Sequence, residues 1–178
     1  MTTTILLIGF AVAVLLLFMQ TALRRKPTPD LGALDTYIEP VDLRAFRNLI
    51  DPAEEDYLRE QLPPGKFRVI QRKRLRATLE YVRCVAGNAA VLLRVGEAAR
   101  RDPNQEVASA ARALANNALR LRVNAMLAMA TLYGRLVLPG ARISVGQVTD
   151  AYENLTHGLV RLARLQNPAY ASRVAAVI

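Results

Sequence analysis

The sequence predicts an all-α protein, with one N-terminal transmembrane helix followed by an antiparallel up-down helical bundle. The bundle holds about three long helices plus short flanking ones. Three observations predict this. Residues 2–23 carry no charged side chain. Beyond Gly65, apolar residues recur at helical spacing through long stretches bounded by prolines. No segment alternates apolar and polar residues as a half-buried strand does.

Composition narrows the function classes. The chain has 178 residues, with 24 basic and 15 acidic groups and a net charge of +9. That length allows one modest domain with appendages and excludes a large multidomain enzyme. The one Cys excludes a disulfide framework, and the one His is too few for a multi-histidine metal site. The charge is divided unevenly. Residues 24–65 hold 6 basic and 9 acidic groups, while residues 66–178 hold 18 basic and 6 acidic groups. Three regions follow: a transmembrane anchor at 1–23, an acidic connector with two short helices at 24–65, and a basic helical bundle at 66–178.

Residues 2–23 match a bilayer crossing, which needs about 20 apolar residues. Twelve of the residues from Ile5 to Leu23 are Leu, Ile, Val or Phe. A cleaved secretory signal needs a basic start and a small-x-small site after the apolar core. Here the chain starts Met1-Thr2-Thr3-Thr4, and Gln20-Thr21-Ala22-Leu23 runs straight into Arg24-Arg25-Lys26. An uncleaved signal-anchor is the expectation. The same three cations place the N-terminus outside and the body in the cytoplasm, at the inner membrane if the source is bacterial.

Pro27-Thr28-Pro29-Asp30 cannot continue a helix. Pro40 and Asp42 open a short helix over 41–50. Asp51-Pro52 opens the next, with Asp as N-cap and Pro at the first helical position. After Pro63-Pro64-Gly65 a long helix runs to Arg101 and stops at Asp102-Pro103. Its charges Arg72, Arg76, Glu80, Arg83, Arg94, Glu97 and Arg101 form one stripe flanked by apolar positions. A second long helix over 104–138 has Val107, Ala111, Leu114, Ala118, Leu121, Ala125 and Leu132 as its apolar stripe. Ser144 and Gln147 form a capping box for a third helix to Gln166, with Val145, Val148, Tyr152, Leu155, Leu159 and Leu162 as its heptad face. Asn167-Pro168 caps a last short helix. If the first two long helices turn at Asp102-Pro103, Asn88 and Asn117 lie level, and their amides are expected to pair across the hairpin.

No cofactor-binding, metal or catalytic constellation emerges. Gly65-Lys66 is followed by Phe67 rather than Ser or Thr, so it is not a P-loop. Ser144 has Gly146 after it but Arg142 two before it, so no nucleophile elbow forms. Glu153, His157 and Arg161 read as a surface ion-pair row on one helix. Cys84 reads as a buried inert thiol. Gly87, Gly96, Gly134, Gly146 and Gly158 read as points of close helix approach.

One run attracts attention, comprising Lys66, Arg68, Arg72, Lys73, Arg74 and Arg76. The plainer reading is a solvated face, or internal pairing with Asp51, Glu54, Glu55, Asp56 and Glu60 folded back over it. Contact with anionic lipid comes second. Nucleic acid comes last, because only Phe67 supplies an interleaved aromatic ring. The expectation is therefore a non-enzymatic, membrane-anchored helical interaction protein, a scaffold or accessory subunit of a membrane complex. Its partners are the bilayer, through residues 2–23, and other proteins. The alternative is a membrane-tethered binder of anionic lipid or nucleic acid through 66–76.

Overall fold

Each helix begins and ends where its local chemistry requires. The computed structural model describes residues 34, 36–137 and 146–166. Asp42 caps α1 (Leu43–Ile50) by accepting from the Ala45 N–H at 2.9 Å, and Asp51 caps α2 (Pro52–Gln61) from Ala53 at 2.9 Å. Both answer donors that have no intrahelical partner. Pro63 and Pro64 then redirect the chain into α3 (Pro64–Ala99), whose 36 residues span about 54 Å. Asp102 and Asn104 build the turn: Asp102 accepts from Asn104 N, and Asn104 accepts from Glu106 N, both at 2.9 Å. That second bond opens α4 (Gln105–Val137). The fifth helix, α5, spans Gly146–Gln166. The described residues are all-helical, with no strand among them.

The apolar stripes expected on α4 and α5 are the ones that become buried. Leu114, Ala118, Leu121, Ala125 and Leu132 of α4 meet Tyr152, Leu155, Leu159 and Leu162 of α5 in one core. From α3 come Leu75, Leu79, Val82, Val85, Ala89, Leu92 and Val95. A fully buried Leu of this kind contributes about 2 kcal/mol. The helices run antiparallel: near its end α3 meets the start of α4 at Gly96, while Arg83 reaches Tyr133 near the end of α4.

Gly96 fixes how closely these two helices approach. A Cβ there would sit 2.9 Å from both the Ala111 carbonyl oxygen and the Ala115 nitrogen. Gly65, Gly87 and Gly134 have open space, and Gly158 makes only an ordinary 3.7 Å approach to Leu114. Close approach therefore explains one interior glycine, not the set.

The short helices fold back over the N-terminal half of α3. Phe46 of α1 is fully buried and stacks on Tyr81 at 5.3 Å, with the rings 8° from parallel. Arg74 donates to the Asn48 and Leu49 carbonyls at 3.1 and 3.2 Å, which answers the open C-terminal end of α1. Upstream, Leu34, Ile38 and Val41 join the core as an irregular strap.

No helix among the described residues is long and apolar enough to cross a membrane. The expected anchor at 2–23, the Ser144 capping box and the last short helix all lie outside the described residues.

Candidate functional site

The most polar feature of the core is Asn88, which is buried on α3. Its Oδ1 accepts from the Glu39 N–H at 3.0 Å, and its Nδ2 donates to the Glu39 carbonyl at 2.7 Å and to the Tyr152 hydroxyl at 2.8 Å. One side chain thus joins the strap, α3 and α5. The expected Asn88–Asn117 pairing does not form. Both Nδ2 protons of Asn88 are already committed, and Asn117 is exposed. The reason is register: Gly96 meets Ala111 and Ala115, about a turn further along α4 than a symmetric hairpin at Asp102-Pro103 implies.

Near this amide, Cys84 and Tyr152 are shifted toward their neutral forms. Burial pushes the Cys84 thiol up to about 12, helped by its neighbour Glu39, whose carbonyl accepts from Sγ at 3.9 Å. Burial also raises Tyr152, and the nearby Cys84 adds to this, against the opposing hydrogen bond from Asn88. A thiol so shifted is a poor nucleophile near neutrality.

Beside Asn88 a groove of about 500 Å³ opens between α3 and α4. Glu80, Arg83, Gly87, Ala90 and Arg94 line one bank, and Arg122, Met126, Met129 and Tyr133 line the other. Tyr37 and Glu39 of the strap close one side. Arg83 bridges the banks by donating to the Tyr133 hydroxyl while pairing with Glu80. Burial lowers the Arg122 guanidinium, and the positive charge of Arg94 lowers it further. The Arg94 Nε is buried with no hydrogen-bond partner.

A second cleft, of about 840 Å³, lies between α1, α2, the end of α4 and the start of α5. Its charges are mixed: Arg44, Arg47 and Arg135 against Asp51, Glu55, Asp56 and Asp150. Glu55 takes both carboxylate oxygens to Arg135 Nη2, at 3.2 and 3.1 Å, and also meets Arg59 at 3.0 Å. Burial works to raise the Glu55 carboxyl. Hydrogen bonds from Gln71 and Arg135 and the two arginine charges outweigh it, so the pKa is lowered. A carboxylate held ionised this way is unsuited to act as a general acid. Arg47 pairs with Glu153 at 2.6 Å, so the expected Glu153–His157 pairing along α5 gives way to a tie between α1 and α5. No group of three or more His, Cys, Asp or Glu residues among the described ones could hold a metal ion.

The six cations of the basic run separate into two kinds. Arg74 is largely buried, lies 3.7 Å from Glu54 and caps α1. Lys66, Arg68, Arg72, Lys73 and Arg76 are exposed and have no ion-pair partner among the described residues. The acidic helix does fold back, with Arg59 over the Phe67 ring at 5.4 Å, but its carboxylates go to Arg59, Arg74 and Arg135.

The sequence reading missed a second apolar seam on α4. Leu119, Val123 and Leu127 are 45%, 44% and 56% exposed, and the seam continues through Met126, Ala130 and Tyr133. Steps of three and four residues keep these positions on one helix face. No family model, curated protein or solved structure matches the chain. The class defined by the fold is an all-α helical bundle.

Proposed function

We propose that the chain is a membrane-anchored helical interaction protein that works by surface contact rather than catalysis. Residues 2–23 cross the bilayer with the N-terminus outside, and the body faces the cytoplasm. Support for the anchor comes from the 22-residue uncharged segment and the Arg24-Arg25-Lys26 flank. One observation carries the rest: several interior polar groups are committed to structure, while five cations of 66–76 and one apolar seam of α4 face outward. Asn88, Tyr152, Arg135 and Glu55 tie elements together, and Cys84 is held protonated. A scaffold or accessory subunit of a membrane complex is the role this combination suits.

The test is mild-detergent purification from native membranes, with identification of co-purifying proteins. Stoichiometric partners are expected. Full recovery of the chain alone would contradict the subunit role. A reporter fused after Ile178 should be active only on the cytoplasmic side.

The exposure of five of the six cations in 66–76 favours a second reading, a binder of anionic lipid. Nucleic acid is less favoured, because the run's one aromatic ring, Phe67, is taken by Arg59.

A further inference from the structure

We propose that the outer side of the α3–α4 pair lies on the anionic surface of the bilayer, with the α4 seam dipping into the headgroup boundary and the α3 cations on lipid phosphates. The proposal rests on the anchored reading above.

Four observations converge on this side. The seam of α4 is apolar and open, from Leu119 through Val123 and Leu127 to Tyr133. Arg120 and Arg122 stand on its two flanks, where their stems can lie along apolar surface with the charge in the headgroup layer. From Arg112 to Val137 the helix carries arginines and no acid. A second copy packed seam to seam would therefore bring arginines against arginines, and the charge favours an anionic occupant.

The basic face of α3 borders the same side. Glu80, Arg83 and Arg94 line the groove opposite Met126 and Tyr133. Arg76, Arg72, Lys73 and Val69 continue that helix face at spacings of three and four residues, and all four are exposed. Two acids, Glu39 and Glu80, lie in the groove; Glu80 is paired with Arg83, and the cations exceed both.

The last observation concerns where the chain arrives. Tyr37 and Glu39 form the groove's rim, and Leu34 is already in the core. Only residues 24–33 separate Leu34 from the uncharged segment, and ten residues reach at most about 35 Å. The side of the body nearest the bilayer is then the side where the strap enters. An amphipathic surface needs apolar area and cations together at the membrane, and here both are present beside the tether.

The chain contains no Trp, so a single introduced one reports its own surroundings. Full-length V123W is reconstituted into vesicles of phosphatidylcholine, with and without a quarter of phosphatidylglycerol. H157W, at an exposed position of α5 outside the groove lining, serves as the control. Flotation after an alkaline wash reads the anchor separately. With anionic lipid, V123W emission should shift to the blue and be quenched by brominated lipid, while H157W stays solvent-like. Replacing Arg72, Lys73 and Arg76 by Glu should remove most of that quenching without loss of flotation. Failure to float would contradict the anchor. Flotation with V123W solvent-exposed would overturn the lipid-facing side, and so would V123W shielded from iodide yet unquenched by lipid, which would mean a protein covers the seam. L127W repeats the reading at a second exposed position.

Discussion

At the residue scale, Asn88 is the side chain on which most of the internal geometry converges. Its replacement by Leu keeps the branching of the amide, with bulkier methyl ends, but leaves the Glu39 N–H and carbonyl unanswered in a closed space. The expected loss is about 3 kcal/mol, from the cost of buried unpaired polar groups. Y152F removes only one acceptor and should cost about 1 kcal/mol, and the two should couple in a double-mutant cycle read by urea unfolding. Cys84 and Tyr152 also set an alkaline limit. Their folded pKa values lie above their unfolded ones, so stability is full below the unfolded thiol value of about 8.5 and falls as pH rises beyond it. C84S should flatten part of that decline, and alkylation of Cys84 should accelerate only at strongly alkaline pH. Glu55 acts in the opposite direction. Its lowered pKa contributes stability above the unfolded value of about 4.3, and that contribution is lost on acidification. E55Q should weaken the attachment of α2 to α4 by about 2 kcal/mol at neutral pH and remove part of the acid sensitivity.

At the scale of elements, two glycines on α3 make opposite predictions. G96A forces a Cβ against the α4 backbone and should destabilise by about 2 kcal/mol, since backbone cannot move aside as a flexible side chain can. G87A enters open space in a helix interior and should stabilise by about 1 kcal/mol in thermal unfolding. The helices themselves were legible in the sequence because their signals are local. Asp42, Asp51 and Asn104 cap the turns beside them, and the stripe from Leu114 to Leu132 follows from period alone. Register was not legible. The Asp102-Pro103 turn suggests a symmetric hairpin, while the close fit at Gly96 sets the real one. Nothing in the identity of Glu39 indicates that its backbone, rather than Asn117, would receive the Asn88 amide. The seam of α4 shows the same limit. Leu119, Val123 and Leu127 lie off the Val107–Leu132 stripe, and only the placement of α3 and α5 decides which side stays open.

At the scale of the molecule, no charged residue among the described ones is fully buried. One cation of the 66–76 run is absorbed as a cap on α1, while the other five are exposed. On the proposed function, such a body joined to an uncharged segment through Arg24-Arg25-Lys26 is a tethered contact surface, and the tether would raise the local concentration of its basic face at the bilayer. The Asn88 amide ties the strap and α5 to α3. Everything in that account depends on the attachment of residues 2–23. The most direct test is alkaline carbonate extraction of native membranes carrying the full chain, set beside the same chain lacking residues 2–23. The account predicts that the full chain stays with the membrane pellet while the shortened one is released. Release of the full chain at alkaline pH would contradict it.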